Sequence, residues 1–559
     1  VGHSIQLLSS LQQDGVAGKQ TSPWSGNLRV SVLNLDVLAA RPWFDIPQKV
    51  KSRIVSHAVV DLQIDSNVPQ NMMVAYGLEK VGVEDHIRNH EFIIAADSLS
   101  SRLSSSFTSV INEFNRWRLS MHESGVADGI SYPPVQFESS VKGFYYKDPV
   151  IFENPLSIDQ ASVRGDFSRN SVQEPRVKLT QATVHNRDLQ MEGTGTWRSD
   201  VNSDNGIVDL SGSLRAVSLP HLHNYLPNVM DPDAREWLKD AFKNGQLSAA
   251  EFELKGVVDD FPFGLAPDSG SFLLRGTYAN LLLNYHQKDI RGKRWPVVNS
   301  DSGTIHFQND QIIIDSIQAF YAMPEGQRLD LDAFHGVVSS LEKNTTVDLQ
   351  AKARGRAEDF LTFTKISPLG NLINNVLDEA QGSGQWTIPI DLHIPVLDAD
   401  NSRISGSIHL DDGRFRLTPD FPWAEHLEGQ MPFTETQLQA NAVKGVMLGG
   451  KVVLDGPIGT VGKPLSIKGT LTAAGLRQLI PVQGMRRISG STNYTSLVHF
   501  SSGGRVKVQF QSDLAGLATQ FPDGLAKPKS AQWRATIVWR ANDGATDNGK
   551  RYLDIRIDG

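Results

Sequence analysis

A few short clusters carry the residue types that enzymes use. His221-x-His223 sets two imidazoles on one side of an extended segment, which is half of a metal site. No third ligand stands beside them in sequence, and His185 or His286 would have to be brought in by folding. Two polar surface histidines are the plainer reading. Asp411-Asp412-Gly413 and Asp259-Asp260 are paired carboxylates, but each lies between alternating apolar stretches, where Asp-Gly and Asp-Asp commonly turn the chain. Gly456, Gly459 and Gly462 have the wrong spacing for a phosphate-binding loop, and no Gly-x-Ser-x-Gly is present. The chain has no cysteine, which removes thiolate nucleophiles, cysteine zinc sites and iron–sulfur clusters. The chain reads as non-enzymatic, with no catalytic residue, cofactor or metal.

Composition sets the scale of what must be positioned instead. At 559 residues the chain exceeds what one hydrophobic core usually supports, so it is several domains or an elongated array. With 40% hydrophobic and 21% charged residues it is an ordinary folding sequence. A formal net charge of -8, without a dense Lys/Arg block, argues against nucleic acid as a partner. No run of about 18 apolar residues could span a bilayer. The opening at Val1, in mid-pattern, reads as a segment cut from a longer chain.

The strongest internal signal is a strand unit, apolar-x-apolar-x-Gly-x-apolar. It reads Ala161-x-Val163-x-Gly165-x-Phe167, Leu189-x-Met191-x-Gly193 and Val208-x-Leu210-x-Gly212-x-Leu214. It returns as Phe252-x-Leu254-x-Gly256-x-Val258, Phe272-x-Leu274-x-Gly276-x-Tyr278 and Ala351-x-Ala353-x-Gly355-x-Ala357. Later copies are Val452-x-Leu454-x-Gly456-x-Ile458 and Leu465-x-Ile467-x-Gly469-x-Leu471, with Ile404-x-Gly406-x-Ile408-x-Leu410 as a shorter form. Period-two alternation gives one apolar and one wet face. Between Leu465 and Leu471 the wet face is Ser466, Lys468 and Thr470. Glycine weakens a strand and is kept for bulges, bends or close approach. Repeated on the apolar face, it would let strands curl into a trough lined by aliphatic side chains. Ordinary sandwich or barrel strands with glycines at their corners are the alternative.

Helical signals are few. Asp231 as N-cap, Pro232 at the first helical position and Ala234, Trp237, Leu238, Ala241 and Phe242 at helical spacing predict a helix over 232–244, stopped by Gly245. Ser105–Trp117 and Phe360–Asp378 are further candidates. Three helices cannot cover strands spread along the whole chain, which favours strand-on-strand packing or a face left for a ligand. Apolar segments ending at proline, Leu219–Pro227, Phe360–Pro368, Leu476–Pro481 and Leu514–Pro522, read as corners between successive sheet sections. Trp24, Trp295, Trp386 and Trp423 read as plugs at the ends of a β core, with a groove rim as the alternative.

At Ser213–Phe263 the sequence becomes specific. A strand is followed by Tyr225-Leu226-Pro227, the amphipathic helix ending in Gly245, a second strand and Phe261-Pro262-Phe263. This succession resembles the YhdP branch of the AsmA-like family. The resemblance continues through Trp295-Pro296, Gly406–Leu417 and Leu525-Ala526-Lys527-Pro528, covers about residues 205–540, and is faint before 200.

The resemblance implies a periplasmic protein anchored in the inner membrane by an N-terminal transmembrane helix absent from this segment. Its partners would be phospholipids, carried between inner and outer membranes, with outer-membrane or envelope proteins as further candidates. The expected fold is mainly β: an elongated, twisted, antiparallel-rich sheet curled into a U-shaped apolar groove, with a few short amphipathic helices. Expected sections are 1–204, 205–400 and 401–559, each part of the groove. A structural or assembly factor for outer-membrane biogenesis that carries no lipid is the alternative. The family offers no catalytic residues to carry over. Strand alternation nominates the groove lining: Leu210, Leu214, Phe252 and Leu254, then Phe272, Leu274 and Tyr278. Ile404, Ile408 and Leu410 follow, then Val452, Leu454, Leu465, Ile467 and Leu471.

Overall fold

The computed structural model describes residues 4–13, 24–35, 54–65, 68–87, 90–106, 133–169, 174–228, 230–286, 292–373, 375–398, 401–501, 506–522, 524–540 and 552–558. The protein is mainly β, with 67% strand and 11% helix, and its long antiparallel sheet is not closed into a barrel. It divides into two compact units. One comprises Val1–Ala279, Thr304–Ile313 and Ser340–Thr345; the other comprises Asn280–Gly303, Ile314–Ser339 and Thr346–Gly559.

In the first unit the strands pair antiparallel with their sequence neighbours, and alternation sorts the side chains into rows. Leu99, Val141, Ala161 and Val184 are successive cross-strand partners. The adjacent row is hydroxylic: Ser100 and Ser140 lie 2.8 Å apart at their oxygens, and Ser162 and Thr183 lie 2.6 Å apart. Such pairs stabilise one face with apolar contact and the other with hydrogen bonds. In the second unit the same rule gives a longer row, Leu454, Ile467, Ser496, Phe510, Ile537 and Ile555, each the partner of the next.

The recurrent glycine has a specific neighbour. Gly165 is paired across strands with Phe137, Gly212 with Phe252, Gly355 with Trp386, Gly406 with Phe433 and Gly469 with Tyr494. At Gly406 an added Cβ would meet Phe433 Cζ first, so there the missing side chain is the seat of the ring; at Gly212 it would meet the Glu192 carbonyl oxygen and the Gly193 Cα as well as Phe252 Cε1 at 2.8 Å. The expectation of a bend holds differently: Gly256 adopts φ 127°, a left-handed conformation that favours glycine, near the end of its strand. Ring seating and bending are separate uses of one motif.

The helix after Asp231 runs Pro232–Ala241, with the Asp231 carboxylate accepting from the Asp233 and Ala234 amides. It stops before 244. Phe242 is 2% exposed and opens the strand Phe242–Val257, whose pairing with Ser203–Ser218 draws the backbone out of the helix. The helix expected over Phe360–Asp378 is instead two, Ala357–Ile366 and Leu369–Leu372. Pro368 forbids helical backbone at Ser367, which is extended at ψ 166°. Of Ser105–Trp117, Ser105 and Ser106 end a strand, and 107–117 lie outside the described residues.

The proline-ended segments do not turn corners between sheet sections. Each leaves the ladder and returns to it, because the strands before and after it pair directly. Ser203–Ser218 pairs with Phe242–Val257, Thr346–Arg356 with Gln385–Pro395, Leu465–Thr472 with Ile488–Phe500, and Val506–Ser512 with Arg534–Arg540. Such an excursion can fold back over one face of the pair, as Phe360 and Phe363 do beside Ile388 and as Leu476 and Leu514 do beside Ile467. The apolar residues it carries select the apolar face.

Candidate functional site

Among the described residues of the second unit, three apolar cavities follow one another over the strands: the first and third are roofed by these excursions, and the second by Leu417, Phe421 and Pro422 of the connection between Arg403–Arg416 and Ala424–Thr434. The first is narrow, about 90 Å³. Its floor includes Ile388, Leu392, Ile404 and Ile408, and its roof is Phe360, Leu361 and Phe363 of the Ala357–Ile366 helix. The second, about 70 Å³, shares Trp386, Ile408 and Leu438 with the first and continues past Leu410, Leu454 and Leu465. The third is far wider, about 670 Å³, and shares Met447 and Ile467 with the second. It runs along the Ile467–Ile555 row and ends at Ile557. The three cavities thus lie in succession along one apolar face, each sharing wall residues with the next.

Aromatic rings fill the narrow part. Tyr321 and Phe363 have ring centroids 5.0 Å apart, and Phe360 and Trp386 5.9 Å apart. The hydroxyls of Tyr285 and Tyr321 are 2.9 Å apart and both residues are buried. Burial pushes Tyr321 up to about 12, against a hydrogen bond to Tyr285 that acts the other way, and raises Tyr285 well above its ordinary value. Both are neutral at physiological pH. Trp295 and Trp386 are buried here as plugs, whereas Trp24 is 46% exposed. Trp423 is half-buried under two guanidiniums, Arg414 at 4.0 Å and Arg416 at 4.5 Å from its ring centroid.

Tyr494 and Lys527 stand in the wall of the wide part, with Asp420, Ser496 and Thr519 as its other polar side chains. Tyr494 is 5% exposed, its ring stacks on Phe510 with centroids 5.0 Å apart, and burial pushes its hydroxyl up to about 12. Lys527 is 2% exposed, and its ammonium donates to the carbonyls of Leu514 at 2.7 Å, Leu517 at 2.8 Å and Pro528 at 3.4 Å. A buried cation is tolerated only when its protons are accepted. Burial lowers the Lys527 pKa, partly opposed by the charge of Asp513. The three bonds gather the 513–533 excursion into the roof.

The residues nominated from alternation separate by unit. Ile404 and Ile408 line the first cavity; Ile408, Leu410, Leu454, Leu465 and Ile467 line the second; Ile467 and Leu471 line the third. Val452 is buried beside them at 2% exposure. In the first unit Leu210 faces Leu254 and Gly212 faces Phe252 across one pair of strands. Leu210, Leu214, Phe252, Leu254 and Phe272 are half-buried there, while Leu274 and Tyr278 are buried. Tyr494, Phe510, Ile537, Ile555 and Lys527 were not nominated. Val506-x-Val508-x-Phe510 and Ala535-x-Ile537-x-Trp539 alternate as cleanly as the other strands but lack the glycine that marked the repeat.

The chemistry-bearing clusters resolve into structural pairs. His221 Nδ1 is 2.7 Å from Asp188, His223 Nδ1 is 2.9 Å from the Pro220 carbonyl, and His426 Nδ1 is 2.6 Å from Asp412. Asp259 accepts from Ser203 and Asn205, and the Ser203 hydrogen bond is the main cause that lowers its pKa. Among the described residues no group of three His, Asp or Glu is placed to hold a metal ion. No helix among them is long and apolar enough to cross a membrane.

No curated protein and no solved structure matches this chain. The family model described as YhdP protein matches residues 88–555, well over half of the chain and starting far ahead of residue 205, where the sequence motifs become specific. A mainly β chain whose strand rhythm precedes its motifs, matched over that span, belongs to the YhdP family.

Proposed function

We propose that the protein is a non-enzymatic lipid carrier that holds phospholipid acyl chains against the apolar face of its sheet and passes them between inner and outer membranes. The observation that carries this reading is the shared walls of the three cavities, which give the second unit one apolar path from Tyr285 to Ile557. An acyl chain leaving water gains roughly 0.8 kcal/mol per methylene. A row of similar Leu, Ile and Val positions supplies many weak sites, so a lipid can advance without meeting a deep trap. The nominated positions Leu210 to Tyr278 extend the same role to the first unit. Membership in the YhdP family supports a periplasmic position with an inner-membrane anchor, and phospholipid as the cargo.

One observation favours a second reading, a scaffold for envelope assembly that carries no lipid. The section under the Ala357–Ile366 helix is filled by its own side chains, leaving only about 90 Å³. The two readings part in one experiment. Native mass spectrometry of the detergent-free 559-residue chain should find several bound phospholipids. Ile537→Asp, a half-buried wall residue of the wide cavity, should lower their number while circular dichroism stays unchanged. A lipid-free chain of compact hydrodynamic radius would decide for the scaffold.

A further inference from the structure

The segment that roofs the wide cavity differs in charge from the wall it contributes. The roof segment 473–488 contributes Leu476, Leu479, Ile480, Met485 and Ile488 to the cavity wall. Between and beside these stand Arg477, Arg486 and Arg487, all exposed. Arg477 donates one N–H to the Ile488 carbonyl at 3.1 Å, which ties the helix end to the start of the next strand. None of the three guanidiniums is ion-paired with a described residue. Lys529 adds a fourth cation on the same side, its Cε 3.3 Å from the position a Cβ on Gly490 would take. The segment 473–488 contains no Asp or Glu, and Asp420 is the single carboxylate among the described residues lining the cavity. In a chain of net charge -8 this is a local reversal of sign, set at the edge of an apolar space.

Two features of the space itself fit an amphiphile. Its volume, about 670 Å³, falls within the roughly 300–1,000 Å³ usual for a small-molecule site. The roof segment is apolar and wet, with Leu479 44%, Ile480 39% and Val482 54% exposed, and the exposed Arg486 and Arg487 follow in the same short segment. A guanidinium recognises phosphate oxygens with paired N–H donors, and one that lacks an acidic partner keeps those donors available.

We propose that the wide cavity is a holding site for a phosphate-bearing diacyl lipid, with its tails in the cavity and its head-group phosphate on Arg486 and Arg487. The inference rests on the lipid-carrier reading and adds a head-group preference to it. A lipid would pause here, because the arginines add a head-group contact to the acyl contact.

The test compares phosphatidylglycerol with diacylglycerol of the same acyl chains, each equilibrated from vesicles with the full 559-residue chain and counted by native mass spectrometry. Retention of phosphatidylglycerol should exceed that of diacylglycerol by about fivefold or more, the scale of an ion pair at a water-exposed rim. Arg486→Gln with Arg487→Gln should bring phosphatidylglycerol down to the diacylglycerol level and leave diacylglycerol unchanged. Excess inorganic phosphate should leave the bound lipid in place. Equal retention of the two lipids by the unsubstituted chain overturns the head-group site and spares the carrier. Loss of both lipids in the arginine variant also overturns it, since the arginines would then act on the fold. Displacement by inorganic phosphate reassigns the arginines to a free anion. Retention of neither lipid overturns the carrier reading along with the site.

Discussion

The narrow and wide parts of the trough share a floor and differ in their roofs. Ile408 and Ile467 are equivalent residues, alternating strand positions buried at 8% and 3% exposure. Over Ile408 lies a ten-residue helix, Ala357–Ile366, with Phe360, Leu361 and Phe363 buried against Trp295, Tyr321 and Trp386. Over Ile467 lie a seven-residue helix, Ala473–Leu479, and the excursion held by Lys527. Rings that interdigitate leave almost no volume, while a short helix and irregular chain cannot fill the span. The floor therefore makes one apolar surface, and the roof decides how much space is left above it.

The sharpest way to break this comparison is to charge the packed roof. Phe360→Asp should destabilise the protein by about 4 kcal/mol, through the lost ring and a buried unpaired carboxylate. Denaturant unfolding would measure it. A loss below about 1 kcal/mol would mean that the narrow part is as open as the wide one. An intermediate effect is expected from alkali. Tyr285, Tyr321 and Tyr494 are raised by burial above the ordinary value of 10.0, Tyr321 and Tyr494 to about 12. A phenol held neutral by the fold contributes stability that is fully present below pH 10 and lost as pH rises toward 12. Melts across that window should fall, and Tyr321→Phe should flatten the fall. Stability that stays level there in the unsubstituted chain would mean that these hydroxyls reach water. The smallest effect belongs to the wide roof. Val482→Asp, at a site 54% exposed, should change stability by no more than about 0.5 kcal/mol. A large loss would show that this tip is packed, which removes the contrast.

Several misreadings share one physical cause. The helix predicted over 232–244 was correct at Asp231 and Pro232, because caps act within a few residues. It failed at its end because Phe242 is claimed by a strand whose partner lies over 25 residues earlier in the chain, at Ser203–Ser218. The proline-ended segments were visible as interruptions, but whether the chain turns a corner or returns to its own ladder depends on which strands pair. Phe510 and Ile537 escaped notice because their strands carry no glycine, and Tyr494 because the glycine of its strand, Gly490, stands outside the repeat, while the cavity they line is built by register across strands.

What the sequence determined by itself is what a strand can encode locally: alternation, the wet and apolar faces, the caps, and a glycine repeated on the apolar side. Each follows from the period of two or from one residue's own conformational limits. What only the tertiary structure decided is what each position meets. Gly212 lies under the ring of Phe252, Gly406 opposite Phe433 and Gly469 opposite Tyr494, and in each case the partner is fixed by register between distant segments. The roofs were settled in the same way, since a segment's own residues say that it is apolar but not which stretch of floor it will cover. Local chemistry gave the trough its lining, and long-range pairing gave it its width.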